Sequence, residues 1–281
     1  MKWARAKTIF IIIFLFVNIF LYAIYRMNSD EGKAIDVDSV TAVLSNYGIS
    51  ANTGEFQSLP SQVAQFEAKQ LQSAEDFAES FFNQAAKKES GKYVAGTETA
   101  TFTEKGINYK NSSPDSRGFN GINKHKAPSR ILGYLEKRGI QKNSLIAERV
   151  SASGSDSFTV TFNYSFNGKK ILNHTLFATA GNKGITEIKG PLLTFNEIKK
   201  GIYHTVSWPS ALLDFVSFYG STLFSEPSEI KSVNVGYYVS TDSESLSAYA
   251  IPAYNVTLAD GRVFYLDGRT NIEPEFILLN K

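Results

Sequence analysis

The feature that most constrains this chain is the run from Thr8 to Tyr25, which contains no charge, no glycine and no proline. At a helical rise of about 1.5 Å per residue it spans roughly 27 Å, close to the thickness of a bilayer hydrocarbon core. No later stretch is comparable. The run is too long for the apolar part of a signal peptide, and it ends in bulky residues, Leu21-Tyr22-Ala23-Ile24-Tyr25-Arg26, where cleavage needs a small-x-small site. The expected organisation is a cytoplasmic tail over 1–7, a transmembrane helix over 8–25 and a juxtamembrane linker over 26–35. A cleaved, secreted form is the competing reading.

Orientation follows from the flanks. Lys2, Arg5 and Lys7 precede the run without an acidic residue among them, whereas Arg26 and Lys33 follow it beside Asp30, Glu31, Asp36 and Asp38. The positive-inside rule counts the basic residues and puts the N-terminus in the cytoplasm and the rest of the chain outside. Trp3 suits the inner interface, and Tyr22 and Tyr25 the outer one. Asn18 is the strongly polar residue of the span. Phe14, Leu15, Leu21, Tyr22 and Tyr25 share its helix face by their spacing. Two readings stand: a face that docks another membrane helix through the Asn18 amide, or an amide bonded to its own backbone.

The residues Trp3-Ala4-Arg5-Ala6-Lys7-Thr8-Ile9-Phe10 and Asn18-Ile19-Phe20-Leu21 resemble the N-terminal signature of the YycI (WalI) family, single-pass membrane proteins of Gram-positive bacteria. Near the C-terminus, Val235-Gly236-Tyr237-Tyr238, Pro252-Ala253-Tyr254-Asn255-Val256 and Asp260-Gly261-Arg262 are similar to the last strands of YycH/YycI-type domains. The resemblance implies a regulator without catalysis of its own. It implies partners too: a WalK-like sensor histidine kinase, met through membrane helices, and a YycH-like membrane protein.

Composition narrows the remaining classes. The chain carries a net charge of +2, and four of its cations, Lys2, Arg5, Lys7 and Arg26, precede the outer domain, which is left slightly acidic. A near-neutral domain without basic clusters argues against nucleic acid as a partner. With no cysteine, neither a disulfide framework nor a thiolate metal site is open to it.

The periodicities give an α+β domain of antiparallel sheets, each covered by helices. Helices are expected around Val37–Tyr47, from Ser73 to Ala85, from Pro128 to Gly139 and from Pro209 to Gly220, with Gly48, Gly91, Gly139 and Gly220 at or beyond their ends. Strands are expected over Tyr93–Lys110, Phe158–Phe166, Lys169–Thr179, Gly184–Leu192, Ile230–Val239, Leu246–Leu258 and Arg262–Leu266. Asn167-Gly168 and Asp260-Gly261 mark tight hairpins, and Pro252 an edge or bulge. The stretch Ile49–Gln72 gives no clear period. Asn111–Lys126 reads as an exposed loop and supports a division into lobes 36–115 and 116–281, with a helix-then-meander pattern recurring three times.

Catalytic chemistry finds no anchor in the sequence. There is no Gly-x-Ser-x-Gly elbow, no His-Glu-x-x-His, no EF-hand loop and no phosphate-cradling glycine loop. The three histidines, His125, His174 and His204, are scattered. Asp36-x-Asp38 reads as helix capping and Asp242 with Glu244 as a solvated turn. No catalytic residue, metal or cofactor is expected. Tyr238, Tyr249 and Tyr254 are candidates for an outer protein-binding face, since aromatic residues anchor such faces. The alternatives to a regulator are an anchored module that holds cell-wall polymer or peptide, and a cell-wall hydrolase or its inhibitor.

Overall fold

The computed structural model describes residues 14, 17, 18, 37–70, 74–82, 86–103, 106–141, 144–224, 226–240 and 247–280. Most of the run 8–25 therefore lies outside the described residues, as do the linker 26–35, Asp36 and the loop holding Asp242 and Glu244. Among the described residues no helix is long and apolar enough to cross a membrane.

Among the described residues from Val37 onward the chain is α+β, with four α-helices laid against a large mixed sheet. The helices are α1 (Val37–Asn46), α2 (Ala74–Phe81), α3 (Ala127–Lys137) and α4 (Trp208–Leu223). The first strands are β1 (Ile49–Ala51), β2 (Gln62–Gln70), β3 (Lys87–Glu89), β4 (Lys92–Ala95), β5 (Glu98–Thr103) and β6 (Gly106–Asn111). Next come β7 (Leu145–Gly154), β8 (Ser157–Phe166), β9 (Lys169–Gly181), β10 (Gly184–Gly190) and β11 (Leu193–His204). The last are β12 (Ser228–Val239), β13 (Ser247–Leu258) and β14 (Val263–Asp267).

Eight strands form an antiparallel sheet in the order β3-β4-β5-β6-β10-β9-β8-β7. Alternation along each strand gives it one apolar face. Val160, Phe162 and Tyr164 of β8, Leu176, Ala178 and Ala180 of β9 and Tyr109 of β6 all point inward. Helices α2 and α3 cover that face. In α3, Ala127, Ile131 and Leu135 repeat every fourth residue and make one buried stripe; Pro128 opens the helix and Gly139, at φ +83°, follows its end.

A second sheet is built from β1, β12, β13 and β14, and its core packs on α1 and α4 through Val40, Leu44, Trp208, Leu212, Phe215, Val256 and Leu266. β1 pairs with β12 in parallel, so the start and the end of the domain share one core. The β2-β11 pair joins β13 at its N-terminal end.

The two sheets meet at β9. Its C-terminal half pairs with β10, while Ile171 near its start makes a single parallel bridge with Tyr237 of β12. Gly236 permits this approach, because a Cβ there would sit 2.5 Å from the Lys170 carbonyl oxygen. Beyond the bridge, the Asn173 side chain takes the place of a strand partner. Its Nδ2 donates to the Val239 carbonyl at 2.7 Å, and its Oδ1 accepts from the Val239 N–H at 3.0 Å.

Several expectations need correction. The boundary at 115/116 cuts through one core, since Phe66 and Tyr109 lie in the same cluster as Ile131, Phe162 and Ile188. The segment Asn111–Lys126 has no strand after Asn111, but it is pinned down: Phe119 and Ile122 are buried, and Ile122 N–H donates to Asn182 Oδ1. The threefold helix-meander pattern resolves instead into two cores with interleaved chain segments. Gly220 does not end α4; it lies within the helix, where a Cβ would meet the Tyr47 ring at 2.6 Å. Gly91 belongs to the β3–β4 turn.

The hairpin residues behave as their chemistry requires. Asn167 and Gly168 both take positive φ. Gly261 alone does so in the second hairpin, a longer loop closed by Leu258 N–H on the Arg262 carbonyl. Pro252 falls where β13 has left β2, last paired at Tyr249, and has not yet met β14, first paired at Ala253.

The close approach at Gly236 predicts a cost. Gly236→Ala should lower unfolding free energy by about 1–3 kcal/mol through overpacking against a backbone atom that cannot yield. Urea denaturation of the two chains measures it.

Candidate functional site

Of the residues expected on the membrane-helix face, Phe14 and Asn18 are described. Both are helical and exposed, and Asn18 Nδ2 donates to the Phe14 carbonyl at 2.8 Å. This is the local backbone bond of the second reading, and it uses one of the amide's two donors. Leu15, Leu21, Tyr22 and Tyr25 lie outside the described residues.

The three tyrosines part company. Tyr238 is half-buried on β12 and packs on the Tyr265 ring at 5.3 Å. Tyr249, 62% exposed, lies on the same face of the neighbouring strand, two positions from Ile251, the register partner of Tyr238. Tyr254 is three positions from Ile251 and so points to the opposite face, where it is 1% exposed. Its hydroxyl donates to the Val206 carbonyl at 2.7 Å and accepts the Leu59 N–H at 3.2 Å. Tyr254 is a core residue and no part of a surface. Tyr237 points inward as well; its hydroxyl donates to the Ala64 carbonyl, and burial pushes its pKa up to about 12.

Sequence reasoning missed the most elaborate polar cluster. Arg138, just past α3, forks onto Glu98 of β5, Nη1 to Oε2 at 2.9 Å and Nη2 to Oε1 at 2.7 Å. Nη1 also donates to the Phe81 carbonyl at the end of α2. The guanidinium lies over the rings of Phe81 and Tyr134, 5.1 and 4.9 Å from their centroids. Tyr134 and Tyr109 share a hydroxyl–hydroxyl bond at 2.9 Å, and burial is the chief reason that both phenols have raised pKa values. The charges are matched, and three of the guanidinium N–H groups donate to Glu98 and the Phe81 carbonyl. The cluster ties two helix ends to the sheet.

A buried carboxylate, Asp267, is held by Arg269 in a similar way. The Arg269 N–H, Nε and Nη2 all donate to it, Nη2 at 2.6 Å. Asp260 with Arg262 and Asp115 with Arg117 repeat this Asp-x-Arg turn on the surface. The motif is visible in the sequence, and its meaning is a turn lock. His174 Nε2 donates to the Val239 carbonyl at 3.1 Å beside Asn173, and burial depresses its pKa. Among the described residues no three His, Cys, Asp or Glu side chains gather as metal ligands.

The outer face of the eight-stranded sheet carries exposed and half-buried side chains over a shallow groove. The strand register lines up two transverse rows there. One runs Ser151, Thr159, Thr179, Glu187, Lys110, Thr99. The other runs Arg149, Thr161, Phe177, Lys189, Asn108, Thr101. A groove of about 540 Å³ opens along them, lined by Thr159, Thr175, Phe177, Thr179, Glu187, Lys189, Gly190 and Pro191. Phe177 is 42% exposed in its middle. No sequence motif marks this face, because its residues come from six strands.

Two outcomes follow from these clusters. Glu98→Ala strands a largely buried guanidinium and should cost about 3 kcal/mol of stability in chemical denaturation. For His174, the folded state disfavours the proton relative to the unfolded chain. Its stability contribution is therefore complete above about pH 6.5 and declines as pH falls below that value. Comparing urea midpoints at pH 7.5 and 5.0 should show a smaller acid loss in His174→Asn than in the parent.

No family model and no curated protein matches the chain. Solved structures do match, among them an uncharacterized protein from Eubacterium rectale, 11% identical, covering 85% of this chain and 92% of that one at a TM-score of 0.48.

Proposed function

We propose that this chain is a single-pass membrane protein, N-terminus inside, whose outer α+β domain regulates a sensor histidine kinase without catalysis of its own. The observation that carries this reading is the uncharged run Thr8–Tyr25 together with the flanking residues Trp3–Phe10 and Asn18–Leu21 that resemble the YycI family. The kinase would be met through membrane helices, with Phe14, Leu15, Asn18, Leu21, Tyr22 and Tyr25 on the contacting face. A YycH-like membrane protein would meet the outer domain, where Tyr238 and Tyr249 share a sheet face. The ion pairs Glu98–Arg138 and Asp267–Arg269 serve the fold.

Regulation of this kind needs only a preference for one kinase state, and a coupling of about 1–3 kcal/mol shifts activity several-fold or more. The test is co-purification with a WalK-like kinase from detergent-solubilised membranes, alongside a kinase-dependent reporter. Asn18→Leu and a chain with an unrelated span should both lose regulation. Normal regulation by both would overturn the helix-contact reading.

A further inference from the structure

We propose that the open face of the eight-stranded sheet is a binding site for a neutral β-linked glycan strand, laid across the strands with Phe177 as its stacking platform. This goes beyond the kinase reading and does not depend on it.

The face has the dimensions of an extended polymer site. Six strands at about 4.8 Å spacing give a track of roughly 24 Å. The repeat from one side chain to the next across the strands is comparable to the rise per sugar of an extended glycan. The track is continuous because the pairs Thr161–Phe177, Phe177–Lys189 and Lys189–Asn108 are directly opposed in register. The groove occupies its middle.

The chemistry of the lining selects the occupant. Within the two rows Phe177 is the single large apolar side chain, which is too little apolar surface for a lipid or for the aromatic cluster of a protein hot spot. Glu187 and Lys189 balance each other in the groove itself, while Arg149 and Lys110 add two cations farther along the rows, and the charged control reads their effect. What remains is a hydroxyl-rich surface around one exposed ring. Ser153, Thr159 and Thr179 form a chain of hydroxyls, Thr159 to Thr179 at 2.8 Å. Three hydroxyls joined by two bonds retain one donor and most of their acceptor positions. That surplus suits sugar hydroxyls, which donate and accept in turn. The exposed ring of Phe177 matches the apolar C–H face of a pyranose, and the Lys189 ammonium and Glu187 carboxylate add a donor and an acceptor beside it.

The experiment uses the full-length chain in detergent and isothermal titration calorimetry. The probes are chitohexaose and cellohexaose as neutral glycans, with hyaluronan oligomers as a charged control. Binding of a neutral hexasaccharide is expected, with Phe177→Ala weakening it about ten-fold, as loss of an aromatic anchor does. Phe177→Trp should retain binding, and the double change Thr159→Val with Thr179→Val should weaken it. Phe218→Ala, at an exposed position on α4 of the other core, should leave it unchanged. Thermal melts accompany each variant, and if Phe177→Ala does not fold, the threonine pair and Phe177→Trp decide the matter. Failure of both neutral glycans to bind overturns the proposal, as does preference for hyaluronan. Parental affinity in the threonine double variant overturns it as well. Kinase co-purification is read separately, so either idea can fail alone.

Discussion

The join between the two sheets at β9 and β12 is the contact on which the architecture depends. One backbone bridge, Ile171 to Tyr237, would be a weak link alone. It is extended by Asn173, whose amide copies the donor and acceptor of a peptide unit and so saturates Val239 where no strand continues. An amide can do this because it carries both a donor and an acceptor in one plane. Two tyrosines brace the join, Tyr265 across it and Tyr237 on its β12 side. Tyr237 hydroxyl donates to Ala64 of β2, and Tyr265 hydroxyl donates to Leu172 of β9. Each satisfies a polar tip while its ring fills apolar space. The helices α1 and α4 of one core are thereby fixed relative to α2 and α3 of the other.

This arrangement explains why both faces of the large sheet cannot be covered. The chain spends its helices on two separate cores, α2 and α3 on the inner face of the eight-stranded sheet and α1 and α4 on the β12–β14 sheet. The outer face of the larger sheet is left with threonines, serines and charges, residues that tolerate water and favour extended backbone. The aromatic weight of the protein goes inward. Around Phe81 and Phe102 the rings meet edge to face, as their quadrupoles prefer. Arg138 enters that aromatic group at its margin, where Glu98 neutralises it and the ring faces accept its charge.

The helices were legible from the sequence because their signals are local. Ala127, Ile131 and Leu135 share one helix face by spacing alone, and Pro128 and Gly139 bracket it. β8, β9 and β10 were legible for the same reason, with strict alternation and a turn dipeptide between the first two. β7 and β11 were not. β7 is an edge strand whose side chains are mostly exposed, so it lacks an alternating pattern; β11 is interrupted between Glu197 and Ile202, where its register with β2 shifts. Tyr254 was misplaced because a tyrosine on a strand looks the same from either side until a partner strand fixes which face is buried. Glu98 and Arg138 lie far apart in the chain, and no local rule pairs them.

The sequence by itself determined the uncharged N-terminal run, the α+β class, the helix positions and the main hairpins, since each follows from propensities and periodicities within a few residues. Only the tertiary structure decided that the two ends of the domain share a core, that buried Asp267 and half-buried Glu98 are partners of arginines, and that a hydroxyl-rich face stays open. Those outcomes rest on strand order and register between distant segments, and a chain carries no local record of which of its strands will lie side by side.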